Sequence, residues 1–317
     1  MRQIDARKVV LVGTGFVGMS YAYSLLNQGI VEELVLIDLN KEKALGEAMD
    51  LSHGVAYAPR HMTIKAGDYS DCQDADLVVI TAGVAQKPGE TRLDLLQHNK
   101  SIMADIVESI MESGFDGIIL VASNPVDIMT YVAYKVSGLP HSRIFGSGTS
   151  LDTARLRYLL SRYFKVDARS IHAYVIGEHG DSEFVPWSNA FIGIKSILDV
   201  INEHPEYSFE DLDQIYENVR DAAYEIIKRK NATYYGIGLS LAHITKVIFN
   251  NSNSIVPVSV YLEEPFCGIK DLYIGLPAII NRKGIKETIT FPMTHADRER
   301  FIRSANILKQ EIDSLGL

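Results

Sequence analysis

A glycine-rich turn at residues 13–18 (GTGFVG) constrains the fold of this chain more than any other feature. An apolar run precedes the turn, a helical pattern follows it, and a second apolar run ends at Asp38. In a strand-turn-helix-strand unit, Gly13 allows the tight turn, Gly15 lets the backbone approach a pyrophosphate, and Gly18 lets the helix pack on the strand. Asp38 then stands where an acid would bind a ribose. We interpret the segment as a dinucleotide-binding unit; the alternative is a glycine turn without a ligand.

Further apolar runs recur at intervals that leave room for a helix between them. Parallel strands that are covered on both faces have such continuous runs rather than alternating ones. The alternation predicts an α/β fold with a doubly wound parallel sheet, in which ligands bind beyond the carboxyl ends of the strands. The predicted strands are 9–12, 34–37, 77–80, 118–121 and, more weakly, 62–66, and the predicted helices are 17–28, 41–56, 93–113 and 128–136.

Composition limits the class of protein. The chain has 317 residues, is 47% hydrophobic and carries a formal net charge of −9, which argues against nucleic-acid or anionic-membrane partners. Cys72 and Cys267 lie far apart, so neither a disulfide framework nor a zinc site is indicated, and we expect the cytoplasm. No apolar stretch is long enough to span a bilayer, and the amino-terminal run of about four residues is shorter than a signal-peptide core.

A small-residue connection at 146–150 is predicted to divide the chain into domains at 1–147 and 148–317. We expect the apolar helix 237–249 of the second part to be buried and to pack back on the first. The other predicted elements of the second part are helices 151–163, 209–229 and 296–314 and strands 171–176, 256–262 and 273–281.

Two loops follow predicted strands at the edge where a ligand would bind. Residues 81–92 contain two glycines and a proline, which suits a hinged lid that closes over a substrate, although a plain surface connection would look similar. Asn124 follows the strand 118–121, and Pro125 is placed to start the next helix. Asn124 would face the cofactor or, equally simply, cap that helix.

Charged residues of the helix 151–163 divide between two faces. Asp152 and Arg155 are three residues apart and share a face, whereas Arg157 lies about 200° round from Arg155. The two arginines therefore cannot serve one pocket. Asp152 and Arg155 alone would be an ordinary salt bridge. His179 follows the predicted strand 171–176 in a glycine-flanked turn, where we expect it to be exposed.

These segments together resemble the L-lactate and malate dehydrogenase family. The resemblance covers almost the whole chain and implies a nicotinamide-binding Rossmann domain, a mixed α/β substrate domain, a small 2-hydroxy or 2-oxo acid substrate and, for the lactate branch, a homotetramer. The motifs that carry it are GTGFVG with Asp38, AGVAQKPGETR, SNPVD, LDTARLR and GEHGDS, in this order.

The chemistry of such an oxidation fits the residue types. His179 can exchange the hydroxyl proton near neutral pH, and the resemblance pairs it with Asp152. Arg155 offers a planar two-pronged donor to a carboxylate, and Arg92 of the lid would stabilise charge on the reacting oxygen. Asn124 matches the family position that bonds near that oxygen. The reaction needs no metal, and the sequence has no obvious cluster of metal ligands.

Substrate choice is predicted from Gln86, which stands where malate dehydrogenases carry arginine. A second carboxylate, as in oxaloacetate, would remain unpaired there, so lactate and pyruvate are favoured. Thr233 matches the wall that limits substrate size. The alternatives are a malate or other 2-hydroxy-acid dehydrogenase and, from another class, a non-catalytic dinucleotide-binding module, which would leave His179 and Asp152 without a role.

The resemblance also implies cofactor and effector contacts. Asp38 would repel the 2′-phosphate of NADP, so NAD is expected. Arg157 and His172 match positions at which bacterial lactate dehydrogenases bind fructose 1,6-bisphosphate between subunits; the alternative is a solvated arginine and an ordinary strand histidine. The predicted cofactor contacts are Gly13, Gly15, Phe16, Val17, Gly18, Asp38, Ala82, Gly83 and Asn124.

Overall fold

The computed structural model describes residues 7–84 and 92–316, without the side chain of Arg92. Within this part of the chain, twelve strands form two sheets. The nine strands of the large sheet are β1 (Lys8–Val12), β2 (Glu33–Ile37), β3 (Thr63–Ala66), β4 (Leu77–Ile80), β5 (Ile118–Val121), β6 (Ile144–Gly146), β10 (Ser254–Tyr261), β11 (Tyr273–Asn281) and β12 (Gly284–Thr288). The three of the small sheet are β7 (Ile171–His172), β8 (Phe191–Ile192) and β9 (Lys195–Ser196).

Helices connect these strands. The same part of the chain contains α1 (Phe16–Gln28), α2 (Lys41–Gly54), α3 (Arg92–Glu112), α4 (Val126–Ser137), α5 (Ser150–Phe164), α6 (Ile197–Glu203), α7 (Phe209–Lys230), α8 (Tyr235–Phe249) and α9 (His295–Ser314).

The large sheet has the order β12-β11-β10-β6-β5-β4-β1-β2-β3. The six strands from β3 to β6 are parallel, and β10, β11 and β12 extend them as antiparallel neighbours. The doubly wound sheet predicted from the apolar runs is therefore confirmed. All residues of β1, β4 and β5 are buried, as expected for strands covered on both faces.

The predicted strand 171–176 was wrong over most of its length. Strand β7 ends at His172, and beyond it only an isolated bridge joins Ile176 to Phe184. The backbone of Val175 is bonded instead to α5 and to its N-cap residue, Thr149. The Val175 amide donates to the Thr153 hydroxyl at 2.9 Å, and its carbonyl accepts from the Thr149 hydroxyl at 2.7 Å. Side chains at the start of a helix thus replace a neighbouring strand, which apolar patterning does not reveal.

Helix α8 packs against α1, which belongs to the first half of the chain. The two helices approach each other closely at Gly238, where an added Cβ would lie 2.7 Å from the backbone of Ser20. A second hydrophobic cluster, around Leu156, Leu160 and Ile171, lies among α5, α7 and the small sheet. None of the helices in residues 7–84 and 92–316 is both long and apolar enough to cross a membrane.

Candidate active site

The glycine turn joins β1 to α1 at the carboxyl edge of the parallel sheet. Gly13 has φ of +101°, and a Cβ on it would lie 2.8 Å from the amide nitrogen of Ala82. A Cβ on Gly18 would lie 2.1 Å from the Gly13 carbonyl, whereas one on Gly15 would meet nothing within 4 Å. No side chain of the described residues caps the start of α1. The open space at Gly15 and the free helix amides fit a pyrophosphate.

Asp38 organises the same turn. Its carboxylate accepts from the amide and hydroxyl of Thr14, both at 2.8 Å, and from the Asn40 amide at 2.9 Å. Burial alone would raise the pKa of Asp38, but these hydrogen bonds outweigh it and hold the pKa below its usual value. Lys43, which the sequence analysis overlooked, donates to the Thr14 carbonyl at 2.6 Å. Asp38 is therefore an ionised group beside the glycine turn.

The remaining predicted cofactor residues lie around this edge. Phe16 is 72% exposed and stacks on Tyr234 with ring centroids 5.1 Å apart. Tyr234 adjoins Thr233, which is half-buried in the connection between α7 and α8. Val17 and Ala82 are half-buried, and Gly83 is exposed.

Asn99 on α3, another residue missed by sequence reasoning, is buried and ties two strand ends together. Its side-chain oxygen accepts from the Val84 amide at 3.0 Å, and its nitrogen donates to the Asn124 carbonyl at 3.4 Å. Asn124 itself is exposed, and Pro125 precedes α4 rather than starting it. The suggestion that Asn124 caps α4 is wrong, because that helix has Pro125 at its N-cap position and no side-chain cap bond.

His179, Asp152 and Arg155 form one ion-paired cluster. The Asp152 carboxylate contacts His179 Nδ1 at 2.7 Å and accepts from Arg155 at 2.8 Å. The sequence predicted an exposed His179, but its side chain is only 26% exposed and therefore partly buried. Burial by itself would lower the pKa of His179, but the Asp152 carboxylate more than offsets this and raises it to about 9. Burial by itself would raise the pKa of Asp152, but His179 and Arg155 together hold it below its usual value.

The turn that carries His179 rests on buried polar groups that sequence reasoning did not assign. The His179 amide donates to Asp127 at 2.8 Å, and the Ser259 hydroxyl donates to the other oxygen of the same carboxylate. The Glu178 amide donates to the Ser304 hydroxyl at 2.8 Å. Burial raises the pKa of Asp127 to about 6. Asp127 lies within the SNPVD motif, but nothing in that motif reveals that it supports His179.

Glu183 brings a further carboxyl group to this cluster. The residue is 4% exposed, and side-chain atoms of Asp152, His179 and Glu183 all lie within 4.8 Å of one another. The sequence indicated no cluster of residues of the types that bind metals. The grouping of Asp152, His179 and Glu183 corrects that expectation. Two of its members are already joined by the bond between His179 and Asp152.

Arg157 points away from this cluster, as the helical spacing predicted. Its Nε donates to the Ala173 carbonyl at 3.1 Å, and its guanidinium lies 4.7 Å from the ring centroid of Tyr174. His172, the neighbour of Ala173, is exposed on β7. The structure thus brings Arg157 to the strand that carries His172.

An open cleft of about 470 Å³ lies beside His179. Gln86 and the side chain of Arg92 are outside the described residues, and Arg92 begins α3. The cleft is lined by Asn124, Pro125, Glu178, His179, Gly180, Asp181, Ser182, Tyr224, Arg303 and Ile307.

Two family models match the chain. Residues 7–146 match the lactate/malate dehydrogenase NAD binding domain, and residues 149–315 match the lactate/malate dehydrogenase alpha/beta C-terminal domain. L-lactate dehydrogenase 2 of Bacillus cereus is 56% identical over 303 residues, covering 96% of each chain. L-lactate dehydrogenase of Geobacillus sp. is 55% identical over 309 residues, covering 98% of this chain and 97% of the relative.

Solved structures agree with these matches. MGS-M5, a lactate dehydrogenase enzyme from a Medee basin deep-sea metagenome library, superposes with a TM-score of 0.97 at 59% identity, covering 99% of this chain and all of that one. Minor L-lactate dehydrogenase from Enterococcus mundtii, in its ligands-bound form, gives a TM-score of 0.96 at 48% identity, with 98% and 99% coverage. This chain belongs to the lactate/malate dehydrogenase family of NAD-dependent oxidoreductases.

Proposed function

We propose that this chain is an L-lactate dehydrogenase, which interconverts L-lactate and NAD with pyruvate and NADH. The observation that carries the proposal is the cluster of His179, Asp152 and Arg155 beside an open cleft. The proposal is supported by the L-lactate dehydrogenases of Bacillus cereus and Geobacillus sp., which are 56% and 55% identical to this chain. A binding module without catalysis would have no use for a buried carboxylate paired with a titratable imidazole.

His179 acts as the acid and base of the reaction. Its Nδ1 is held by Asp152, so Nε2 is the atom that exchanges a proton with the substrate oxygen. Bound NAD supplies the acceptor for the hydride that leaves the carbon of lactate. In the direction of pyruvate reduction, the protonated imidazole donates from Nε2 to the carbonyl oxygen. The Asp152 carboxylate favours this charged form.

The substrate carboxylate is bound by Arg155. One nitrogen of its guanidinium is fixed by Asp152 at 2.8 Å, which orients the remaining donors. Arg92 and Asn124 stabilise charge on the reacting oxygen, and Thr233 limits the size of the substrate side chain; these roles follow from the resemblance. Lactate has one carboxylate and therefore needs no arginine at position 86 to pair with a second one.

NAD is held at the glycine turn. The free amides of α1 receive the pyrophosphate at Gly15, and Asp38 accepts from the ribose hydroxyls. Because Asp38 is ionised, the 2′-phosphate of NADP would be repelled. Phe16, Val17, Ala82 and Gly83 line the same edge of the sheet.

The substrate assignment is tested by kcat/KM for pyruvate and for oxaloacetate with NADH. We expect a clear preference for pyruvate in the wild type and a shift toward oxaloacetate in Gln86→Arg, since the arginine would pair with the second carboxylate. A wild-type preference for oxaloacetate would refute the assignment.

His179→Asn should lose turnover by roughly 10²-fold to 10⁴-fold while still binding NADH, which separates an enzyme from a binding module.

Regulation by fructose 1,6-bisphosphate is a second proposal. It is supported by Arg157, whose guanidinium is anchored at the Ala173 carbonyl beside the exposed His172. Repeated across a twofold axis, the two side chains would make a four-residue site for phosphates, and their mutual repulsion without ligand would weaken assembly. Pyruvate saturation is compared with and without the bisphosphate, in wild type and Arg157→Gln. An effect that persists in Arg157→Gln, or none in the wild type, would contradict the site.

We also propose a homotetramer in the cytoplasm. The free cysteines Cys72 and Cys267 suit a reducing compartment. Self-association is supported by large apolar side chains that remain exposed on neighbouring helices α1, α2 and α8, namely Tyr23, Leu45, Met49 and Leu239.

A further inference from the structure

Glu183 is a buried carboxyl group that the proposed reaction does not use. It follows the GEHGDS turn directly and is 4% exposed. Its side-chain oxygen lies within 4.8 Å of an Asp152 oxygen and of a His179 ring nitrogen. The hydroxyl of Tyr216 on α7 donates to the backbone carbonyl of Glu183, which helps to hold the residue in place.

Other charged groups surround this position. Arg155 on α5 donates to Asp152, the same carboxylate that lies near Glu183. The negative charge of Asp127 on α4 also acts on His179. The groups that line a pocket of about 360 Å³ together with Glu183 are Asp181 on its own turn, Asp213, Tyr216, Glu217 and Arg220 on α7, and Arg300 and Arg303 on α9.

Two carboxyl groups in contact inside a protein cannot both be ionised without a large cost. Asp152 has two cationic partners, His179 and Arg155, and these keep it charged. Burial and the neighbouring Asp152 carboxylate raise the pKa of Glu183 well above its usual value, and the two cations offset this only in part. Glu183 therefore carries the proton of the pair. A protonated carboxyl group can donate a hydrogen bond, and a carboxylate oxygen of Asp152, which can accept one, lies within 4.8 Å of the Glu183 side-chain oxygen.

We propose that Glu183 is a positioning residue that stays protonated and donates a hydrogen bond to Asp152. In this role it disperses the charge of Asp152, which already binds His179 and Arg155, without adding a second negative charge beside the imidazole. It thereby moderates the basicity of His179, which must lose its proton for lactate oxidation and regain it for pyruvate reduction. The effect of Glu183 on turnover rests on the proposed function, whereas its effect on the His179 imidazole does not.

The test is the apparent pKa of His179 in three variants. It is measured from the pH dependence of kcat/KM for pyruvate and, independently of activity, by NMR titration of the His179 imidazole. Glu183→Gln keeps a neutral donor of similar shape, so the apparent pKa should stay within about 0.3 unit of wild type. Glu183→Leu removes the donor, leaves Asp152 more basic and should raise the apparent pKa by about half a unit or more. Glu217→Gln, in the same pocket but exposed on α7, is the matched control and should change neither measurement.

Two results would overturn the proposal. A fall of about one unit or more in Glu183→Gln would mean that native Glu183 is ionised. An unchanged titration in Glu183→Leu would mean that the residue only fills space. If the wild type fails to reduce pyruvate, the proposed function fails, whereas the imidazole titration still decides the role of Glu183.

Discussion

At the scale of single residues, Asp152 connects the groups that carry charge in the site. Its side chain is 3% exposed, and it binds the imidazole of His179 and the guanidinium of Arg155 through different oxygens. Breaking such a buried pair leaves an uncompensated charge, so these three residues depend on one another. The same carboxylate binds Nδ1 of His179, so Nε2 is the nitrogen that the proposed mechanism uses.

The raised pKa of His179, about 9, predicts the pH dependence of both directions of the reaction. Pyruvate reduction needs the protonated imidazole, so its kcat/KM should be flat near neutral pH and fall about tenfold per unit above the pKa. Lactate oxidation needs the neutral form and should rise with pH up to the same value. Asp152→Asn removes the main cause of the raised pKa and should move the break to lower pH. A break that does not move in Asp152→Asn would contradict this explanation.

The same pKa links pH to stability. Because the folded state raises the pKa of His179 from 6.5 to about 9, the folded chain binds this proton more tightly than the unfolded chain. The contribution is complete below pH 6.5 and is lost as the pH rises through about 9. The melting temperature of wild type should therefore fall more across this interval than that of His179→Asn, which lacks the proton.

At the scale of elements, the contact between α1 and α8 contains a buried chain of hydroxyl groups. Thr245 donates to the Leu241 carbonyl at 2.9 Å, so its oxygen accepts from the Tyr21 hydroxyl at 2.8 Å. Both residues are fully buried. This burial raises the pKa of Tyr21, which keeps the hydroxyl protonated as a donor.

This arrangement predicts unequal costs for removing the two partners. Thr245→Val leaves the Tyr21 hydroxyl buried without an acceptor and should lower the free energy of unfolding by about 1–3 kcal/mol. Tyr21→Phe leaves Thr245 bonded to Leu241 and should cost less, about 0.5–1.5 kcal/mol. The double variant should be closer to Tyr21→Phe than to the sum. Chemical denaturation of all three proteins measures this; equal costs for the single variants would disprove the donor assignment.

The sequence predicted well those strands that are marked by an apolar run of neighbouring residues. The strands β1, β2, β4 and β5 have continuous apolar runs and lie within a residue of the predicted positions. The strand predicted at 171–176 failed because Thr149 and Thr153 bond the backbone of Val175. Such a contact joins residues over twenty positions apart, so no local window contains it.

At the scale of the whole molecule, large apolar side chains remain exposed on three neighbouring helices, α1, α2 and α8. We call Tyr23, Leu45, Met49 and Leu239 together the helical face. Leu45 and Met49 on α2 are 46% and 54% exposed, and Leu239 on α8 is 56% exposed. If this face joins copies of the chain in the proposed tetramer, Met49→Glu should produce smaller species, because a buried unpaired charge is costly. Light scattering after gel filtration measures this. Ile194→Glu, on the loop between β8 and β9, is the control; an intact tetramer in Met49→Glu would place the interface elsewhere.

The parallel sheet, the glycine turn and the family could be inferred from the amino-acid sequence, because backbone freedom, apolar periodicity and motif order are properties of neighbouring residues. The sequence also separated Arg155 from Arg157 by helical spacing alone. The support of His179 by Asp127 and the approach of Glu183 to Asp152 became visible only in the folded chain. Protonation depends on burial and on distances between charges brought together from different helices and loops, and these exist only once the chain is folded.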